Sequence, residues 1–160
     1  MAAERAVLHY LVRHGDAKSE LEDPAKPLSD HGREDVLRVA RYAASIGLEV
    51  AEIRHSNRLR ARQTAEILAE HLVPRLGIRE AEGLAPGDEP DRGRAELEAT
   101  KEPLMLVGHL PNLSRLASAL LLGEFKSELI RLEMASIVCI ERTNTGFRLM
   151  WILTPDMVQA

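Results

Sequence analysis

Three short segments of this chain contain residue types that bind and transfer phosphate, and each follows an apolar run typical of a buried strand. The first is Arg13-His14-Gly15, which comes directly after the apolar residues 6–12. Arginine offers a planar fork of donors to phosphate oxygens, and histidine offers a nitrogen that can attack phosphorus. Gly15 lets the backbone turn closely around an anion. Alone this triplet is a weak signal, and its weight depends on the other two segments.

The second segment, residues 54–62, contains four arginines and no acidic residue. With Ser56 or Asn57 as the cap of the following helix, Arg60 falls in the first turn, beside backbone N–H groups that have no helical partner. A guanidinium at a helix N-terminus forms a site for an anion. For Arg58 and Arg62, a solvated helix face is the plainer interpretation.

The third segment is Gly108-His109-Leu110-Pro111-Asn112, which follows the apolar residues 104–107. Pro111 suits the first position of a helix, where its missing N–H removes no hydrogen bond. The backbone N–H groups around Leu110 and Asn112 then point towards the same ligand as the other segments. A single histidine beside a buried strand is more often structural. Here His14 and His109 each follow the last apolar residue of a strand by two positions.

The elements that must position these segments follow from periodicity. Apolar runs alternate with helical patterns, which predicts a three-layer αβα fold with a mostly parallel central sheet of about five to six strands. The carboxyl ends of parallel strands share one edge, so we expect the three segments to meet in one crevice. The predicted strands are residues 6–12, 51–55, 104–107, 135–141 and 147–153, and the predicted helices span the Ser29 cap to about Gly47, then 58–72, 94–100 and 111–122.

Two regions between these elements have a distinct character. Residues 79–102 carry eight acidic and four basic residues, and we predict a surface loop within them at residues 83–93. Near the end of the chain, Asn144-Thr145-Gly146 predicts the turn of a hairpin.

Composition narrows the class of protein. A length of 160 residues with 45% hydrophobic and 29% charged residues predicts a single soluble domain over residues 1–160. A net charge of −4 argues against nucleic acid as the partner. The single cysteine, Cys139, lies in an apolar run, which excludes an internal disulfide and fits a reducing compartment. No apolar segment near the N-terminus is long enough for a signal peptide or a membrane span, so we expect a cytoplasmic protein without a membrane partner.

The motifs resemble a known family. Leu11-Val12-Arg13-His14-Gly15-Asp16-Ala17, the pattern Ser56-x-x-x-Arg60-Ala61-x-Gln63-Thr64-Ala65 and Val107-Gly108-His109 are similar to the three signatures of the histidine phosphatase superfamily. Pro27-Leu28-Ser29-x-x-Gly32 resembles a further element of the same group. The short chain, Arg-His-Gly-Asp-Ala and Gly-His-Leu-Pro look most like the small bacterial phosphohistidine phosphatases. The resemblance implies the phosphoglycerate-mutase-like fold.

The resemblance also implies roles for individual residues. His14 is implied as a nucleophile that becomes transiently phosphorylated, Arg13 and Arg60 as the phosphate clamp, and His109 as a second histidine that donates a hydrogen bond to the phosphoryl group. Around these four we expect further contacts with the substrate. The residues concerned are Gly15, Asp16, Ser56, Leu110 and Asn112.

Physical chemistry is compatible with those roles. Phosphoryl transfer depends on positioning and charge stabilisation, and two arginines with a cationic His109 supply that charge. Nearby cations disfavour protonation of His14. The sequence has neither an acidic triad nor a Gly-rich Lys loop to hold Mg²⁺, so we predict no metal and no cofactor.

The sequence constrains the substrate less than it constrains the site residues. Relatives that act on phosphate esters use a carboxylic acid to protonate the leaving group, and Asp16, Glu82 and Asp88 are more easily explained as ordinary loop carboxylates. A labile P–N bond has less need of a strong acid, which favours phosphohistidine on a protein such as a histidine-phosphotransfer domain. A small phosphate monoester and a non-catalytic phosphate-binding module are the alternatives. We expect a monomer or a weak oligomer.

Overall fold

The structure is a computed structural model, and it describes residues 6–124 and 128–159. Helices and strands alternate along most of the chain. In chain order they are β1 (Val7–Arg13), α1 (Asp30–Ser45), β2 (Glu52–His55), α2 (Leu59–Leu72), β3 (Ile78–Glu80), α3 (Asp91–Ala99), β4 (Leu104–Gly108), α4 (Asn112–Leu122), β5 (Ile137–Thr143), β6 (Gly146–Leu153) and a single 3₁₀ turn, Pro155–Met157.

The strands form one sheet in the order β3-β2-β4-β1-β5-β6. The first four strands in this order are parallel, whereas β5 runs antiparallel to β1 and β6 antiparallel to β5. Val107 of β4 is in register with Val12 on one side and with His55 on the other. The carboxyl ends of β1, β2 and β4 are therefore level, and the residues that follow them lie together.

Apolar side chains cover both faces of this sheet, and the alternation along β1 shows how. Tyr10 and Val12 belong to the core shared with α1 and α2, while Leu11 belongs to the core shared with α3 and α4. Successive residues of a strand point to opposite faces, so one strand contributes to both cores. This arrangement confirms the predicted α/β fold with helices on both sides of a mostly parallel sheet.

The start of α1 is fixed by the loop that carries the first motif. Ser29 caps the helix, because its Oγ accepts a hydrogen bond from the Gly32 N–H at 3.0 Å. A Cβ at Gly32 would lie 2.0 Å from the carbonyl oxygen of Asp16. Only glycine therefore allows the loop after β1 to pack directly on the first turn of α1.

Several predicted boundaries were wrong. The strand β3 was not predicted, since Ile78 is its only apolar residue and even that is only half-buried. The helix α3 begins at Asp91, inside the predicted loop 83–93, because only Gly93 and Leu97 of this polar helix are buried and give it little periodicity. The hairpin at residues 144–146 is confirmed, with β5 ending at Thr143 and β6 beginning at Gly146.

Two predicted helix starts were also wrong. The cap of α2 is Arg58, with no side-chain hydrogen bond, rather than Ser56 or Asn57. Pro111 is the cap of α4 instead of its first helical residue, and it follows a cis peptide bond from Leu110.

Candidate active site

The side chain of His14 projects just beyond the end of β1. The His14 N–H donates to the carbonyl oxygen of Gly108 at 3.1 Å, which joins the ends of β1 and β4. The ring is 9% exposed, and its Nδ1 lies 2.6 Å from the carbonyl oxygen of Gly15. A carbonyl oxygen only accepts hydrogen bonds, so Nδ1 must carry the proton. The neutral ring then has its lone pair on Nε2, which makes that atom available as a nucleophile.

Gly15 is needed for packing in addition to its place in the motif. A Cβ there would lie 2.7 Å from Cγ2 of Val36. The Gly15 N–H donates to Oγ1 of Thr64 at 3.1 Å, and the Thr64 hydroxyl donates to the carbonyl oxygen of Arg60 at 2.8 Å. The predicted contact of Gly15 with substrate is therefore not supplied by its N–H, which binds α2 to the loop after β1.

His109 faces His14. The ring centroids are 4.8 Å apart with an interplanar angle of 49°. His109 is 2% exposed, its Nε2 lies 2.6 Å from Oγ of Ser56, and its buried Nδ1 has no partner among the described residues. Ser56 Oγ also accepts from the Arg58 N–H at 3.2 Å. The Ser56 hydroxyl can donate to Nε2, and in that arrangement the proton of neutral His109 lies on Nδ1.

The two predicted arginines flank these rings. Arg13 donates from Nη1 to the carbonyl oxygen of Leu132 at 3.0 Å, while its buried Nε has no partner among the described residues. Arg60 lies in the first turn of α2, half-buried, and burial lowers the pKa of both guanidinium groups. Each still remains a cation at neutral pH. Both therefore keep donors available for an anion beside His14.

The electrostatics of the cluster keep both histidines neutral. Burial lowers the pKa of His14 to about 4, the Gly15 carbonyl opposes this, and the charges of Arg60, Arg13 and Lys26 lower it further. Burial also lowers the pKa of His109 to about 3, with further lowering by His14 and by Arg60. The expected cationic His109 is therefore wrong for this structure, because its surroundings are apolar or already positive.

Two predicted substrate contacts have other partners. Asp16 accepts a hydrogen bond from the Ser29 hydroxyl at 2.6 Å, which ties its carboxylate to the cap of α1. The Asn112 side chain donates to the carbonyl oxygens of Gly83 and Asp88, at 3.1 and 2.8 Å, and holds that loop. The side chains of Asp16 and Asn112 therefore serve the scaffold. Leu110 is half-buried at the edge of the cluster, and its contact with substrate stays a prediction, as does that of the Asn112 backbone N–H.

The carboxylates considered as proton donors are likewise engaged. Glu82 forms an ion pair with Arg92 at 2.7 Å, and Asp88 accepts from the Ala85 N–H at 3.0 Å. Both contacts agree with the interpretation of these residues as loop carboxylates.

Sequence reasoning missed two residues of the cluster. Thr64 connects Gly15 to Arg60, and its place in the second motif, four residues after Arg60, is the signal that was available. Lys26 lies beyond the first motif, with φ at +50°, and its charge acts on His14. No spacing rule relates a loop lysine to a strand end, so its role depends on the fold.

Metal-binding clusters and membrane-spanning helices are both absent from residues 6–124 and 128–159. No three or more His, Cys, Asp or Glu side chains in these ranges are grouped so that they could hold a metal ion. None of the helices there combines the length and the apolar character that a membrane crossing requires.

Known proteins share these features. Residues 9–85 match the model of the histidine phosphatase superfamily, branch 1. An uncharacterized protein of Picosynechococcus sp. is 38% identical over 123 residues, which is 72% of this chain and 73% of that protein. The protein histidine phosphatase SixA, in complex with tungstate, has a similar structure, with a TM-score of 0.85 and 21% identity over 94% of this chain and 99% of that one.

A second solved structure broadens the comparison. The alpha-ribazole phosphatase of Shigella flexneri has a TM-score of 0.76 and 15% identity, over 93% of this chain and 97% of that one. At such identities the likeness shows the phosphoglycerate-mutase-like fold and leaves the substrate open. The motif match, the sequence relative and the fold agree. The chain belongs to the histidine phosphatase superfamily, a superfamily of phosphatases.

Proposed function

We propose that this protein hydrolyses phosphohistidine on a protein, such as a histidine-phosphotransfer domain, through a phosphohistidine formed on its own His14. The observation that carries the proposal is the pair of facing rings, 4.8 Å apart, in which a neighbour binds Nδ1 of His14 but Nε2 of His109. His14 has its lone pair on Nε2, whereas His109 has a buried Nδ1–H without a partner among the described residues. One ring thus offers a nucleophile and the other a hydrogen-bond donor.

In the first step the phosphoryl group of the donor lies between the two rings. Arg13 and Arg60 bind its oxygens, and the His14 Nε2 lone pair forms a bond to phosphorus while the P–N bond of the donor breaks. The electron pair of that bond leaves with the donor imidazole, which takes up a proton from water. Because His14 is neutral well below pH 7, no general base is needed to prepare it.

The charge of a bound phosphoryl group raises the pKa of His109. A neighbouring oxyanion raises the pKa of an imidazole, whereas burial, His14 and Arg60 lower the pKa of His109. Its Nδ1–H donates to a phosphoryl oxygen, and a proton gained on the ring adds positive charge where negative charge is concentrated. In the second step water attacks phosphorus, phosphate leaves, and the electron pair of the P–N bond returns to His14 Nε2.

The choice of phosphohistidine rests on the leaving group. Asp16, Glu82 and Asp88, the carboxylates considered as proton donors, are each bound to a neighbour of their own. An alkoxide leaves poorly without an acid, whereas an imidazole leaves readily. The cluster therefore suits a phosphoramidate bond better than a phosphate ester.

A small phosphate monoester is the second candidate substrate. It is supported by the similarity in fold to the alpha-ribazole phosphatase of Shigella flexneri, at 15% identity. Such a reaction would need a proton donor other than those three carboxylates. A non-catalytic phosphate-binding module is the weakest alternative, since binding alone does not require a neutral histidine with an unprotonated Nε2.

The test compares donors directly. Wild-type protein, His14→Ala and the control His71→Ala would receive a phosphorylated histidine-phosphotransfer domain, phosphoramidate and a panel of sugar and nucleotide monophosphates, with EDTA present. We expect the highest kcat/KM for the protein donor, an acid-labile phosphoenzyme in the wild type and in His71→Ala, and neither in His14→Ala. Faster release from a monoester would favour the second candidate. Binding without release from any donor would favour the third.

A further inference from the structure

A groove of about 1130 Å³ begins at the phosphate-binding cluster and runs away from it. Arg13, Asp16 and Leu110 line its inner end, so it is continuous with the site. Its outer walls come from the first half of α1, from residues 128–134 and from the turn at Pro155 and Asp156. Of the four residues of the proposed reaction, only Arg13 lines this groove, so its outer walls have no part in the phosphoryl transfer itself.

The groove beyond Arg13 is acidic. Among the described residues that line it there, two are arginines, Arg38 and Arg131, and four are carboxylates, which are Asp35, Glu128, Glu133 and Asp156. Arg38 is already paired with Asp35 at 2.5 Å. Arg131 lies 3.9 Å from Glu133, too far for a strong ion pair, and both side chains are largely in solvent. The outer groove therefore keeps a surplus of negative charge.

The groove also exposes apolar side chains close to the site. Leu129 is 48% exposed and Met134 is 37% exposed, and both line the groove together with Leu110. Large apolar residues at the edge of a polar cleft are typical of surfaces that contact another protein.

A second cleft, of about 630 Å³, lies on the other side of the cluster beyond Asn57. Its charged residues are Glu80, Glu82, Asp88, Glu89, Asp91 and Arg92. The cations that bind phosphate thus lie between two acidic surfaces. This field attracts one phosphoryl group at the centre, repels further phosphates at the sides and favours basic groups there.

We propose that the groove binds a basic and partly apolar surface of the phosphorylated protein, so that the phosphohistidine is delivered to His14. The proposal rests on the proposed function and specifies the partner surface that this function requires. Positive side chains beside the phosphohistidine contact Glu128 and Asp156, and an apolar patch contacts Leu129 and Met134. Complementary charge of this kind acts mainly on the encounter rate and on the choice of partner.

Glu128→Lys and Leu129→Ala test the two kinds of contact, with Glu70→Lys as a matched charge reversal on the exposed part of α2. Two donors would be compared: a phosphorylated histidine-phosphotransfer domain with basic residues beside its phosphohistidine, and phosphoramidate. We expect Glu128→Lys to lower kcat/KM for the protein donor about three- to tenfold at low salt, because charge complementarity is lost. Leu129→Ala lowers it less, and Glu70→Lys leaves it unchanged.

Phosphoramidate distinguishes the groove proposal from the proposed function, because a small donor needs the active site but not the groove. All three variants should hydrolyse phosphoramidate at the wild-type rate, and raising salt should narrow the gap between Glu128→Lys and wild type for the protein donor. Replacing the basic residues of the donor by Glu should reproduce the defect of Glu128→Lys. Equal kcat/KM of all variants for the protein donor would overturn the groove proposal while the proposed function stands. Failure of wild type to act on any phosphohistidine protein would remove the function itself.

Discussion

Strand β1 positions two histidines, His9 and His14, which are both buried. They differ in the hydrogen-bond partner of Nδ1 and in the charges around the ring. Both are buried, at 0% and 9% exposure, and burial is the main cause that lowers the pKa of each to about 4. Judged by these properties alone, either one could be taken for an activated catalytic group.

The backbone group beside each ring separates them. His9 Nδ1 accepts from the Leu104 N–H at 3.1 Å, so the proton of the neutral ring lies on Nε2, which is buried and has no partner among the described residues. His14 Nδ1 faces a carbonyl oxygen and has the opposite tautomer. The charge of Arg142 is the one that acts on His9, whereas Arg13, Arg60 and Lys26 all act on His14. A nucleophile is thus defined by its tautomer and its cations, and a low pKa is insufficient.

The largest expected effect is the difference in kcat between variants of His14 and variants of His9. His14→Ala removes the proposed nucleophile, and we expect kcat to fall at least about 10³-fold. His9→Asn keeps an acceptor near the position of Nδ1, and we expect wild-type kcat with the donor that the wild type prefers. His9→Leu leaves the Leu104 N–H unpaired, which costs about 1–3 kcal/mol of stability. Initial rates and urea unfolding measure these outcomes, and a comparable loss of kcat in His9→Asn would contradict the comparison.

The next effect is the dependence of stability on pH. The folded-state pKa of His9 lies at about 4, below the value of about 6.5 for an exposed histidine, so the unfolded chain binds the proton more readily. Stability is therefore retained above about pH 6.5 and falls as the pH decreases towards 4, with His9 contributing about 2–3 kcal/mol of that loss. His14 and His109 change stability in the same direction.

His9→Asn isolates the share of the structural histidine. Urea unfolding of this variant and the wild type at pH 7.5 and pH 4.5 should show a smaller loss in the variant, because Asn does not titrate. Carboxylates act equally in both proteins and cancel in the difference. The same loss in both proteins would mean that His9 is not held neutral in the folded state.

These contrasts also mark what the sequence could predict. The convergence of the three motifs was predictable, because each motif follows an apolar strand and parallel strands end at one edge of a sheet. These motifs carry Arg13, His14, Arg60 and His109. The cap at Ser29 was predictable since capping is local. The strand β3 was not, because its pairing with β2 gives Ile78 its place in the sheet and the sequence of three residues has no period of its own.

Protonation was the least predictable property. A cationic His109 was a reasonable expectation for a residue that stabilises phosphate, yet its burial and the charges of Arg60, Arg58 and Arg13 lower its pKa to about 3. The hydrogen bond of the Asn112 side chain to the loop at Gly83 was equally unpredictable. Both facts depend on neighbours that are distant in the chain, which no spacing rule supplies.

The smallest expected effect concerns the tautomer of His109. The Ser56 hydroxyl is its hydrogen-bond partner, as the Gly15 carbonyl is the partner of His14. Ser56 is fully buried, and its hydroxyl is the hydrogen-bond partner of His109 Nε2 at 2.6 Å. Ser56→Ala frees Nε2 to take the proton, so that a fraction of the molecules lose the Nδ1–H donor. We expect kcat to fall about tenfold with little change in KM, since outer partners of a catalytic histidine have effects of about this size.

Ser136→Ala is the matched control for this substitution. It removes a hydroxyl that is equally buried but has no hydrogen-bond partner among the described residues. The ¹⁵N chemical shifts of His109 report the tautomer directly: we expect one dominant form in wild type and in Ser136→Ala, and a mixture in Ser56→Ala. If Ser56→Ala keeps both the wild-type kcat and a single Nδ1–H form, the Ser56 hydroxyl does not orient His109. Because stability alone cannot move these shifts, the measurement separates a residue that positions the donor from one that only packs beside it.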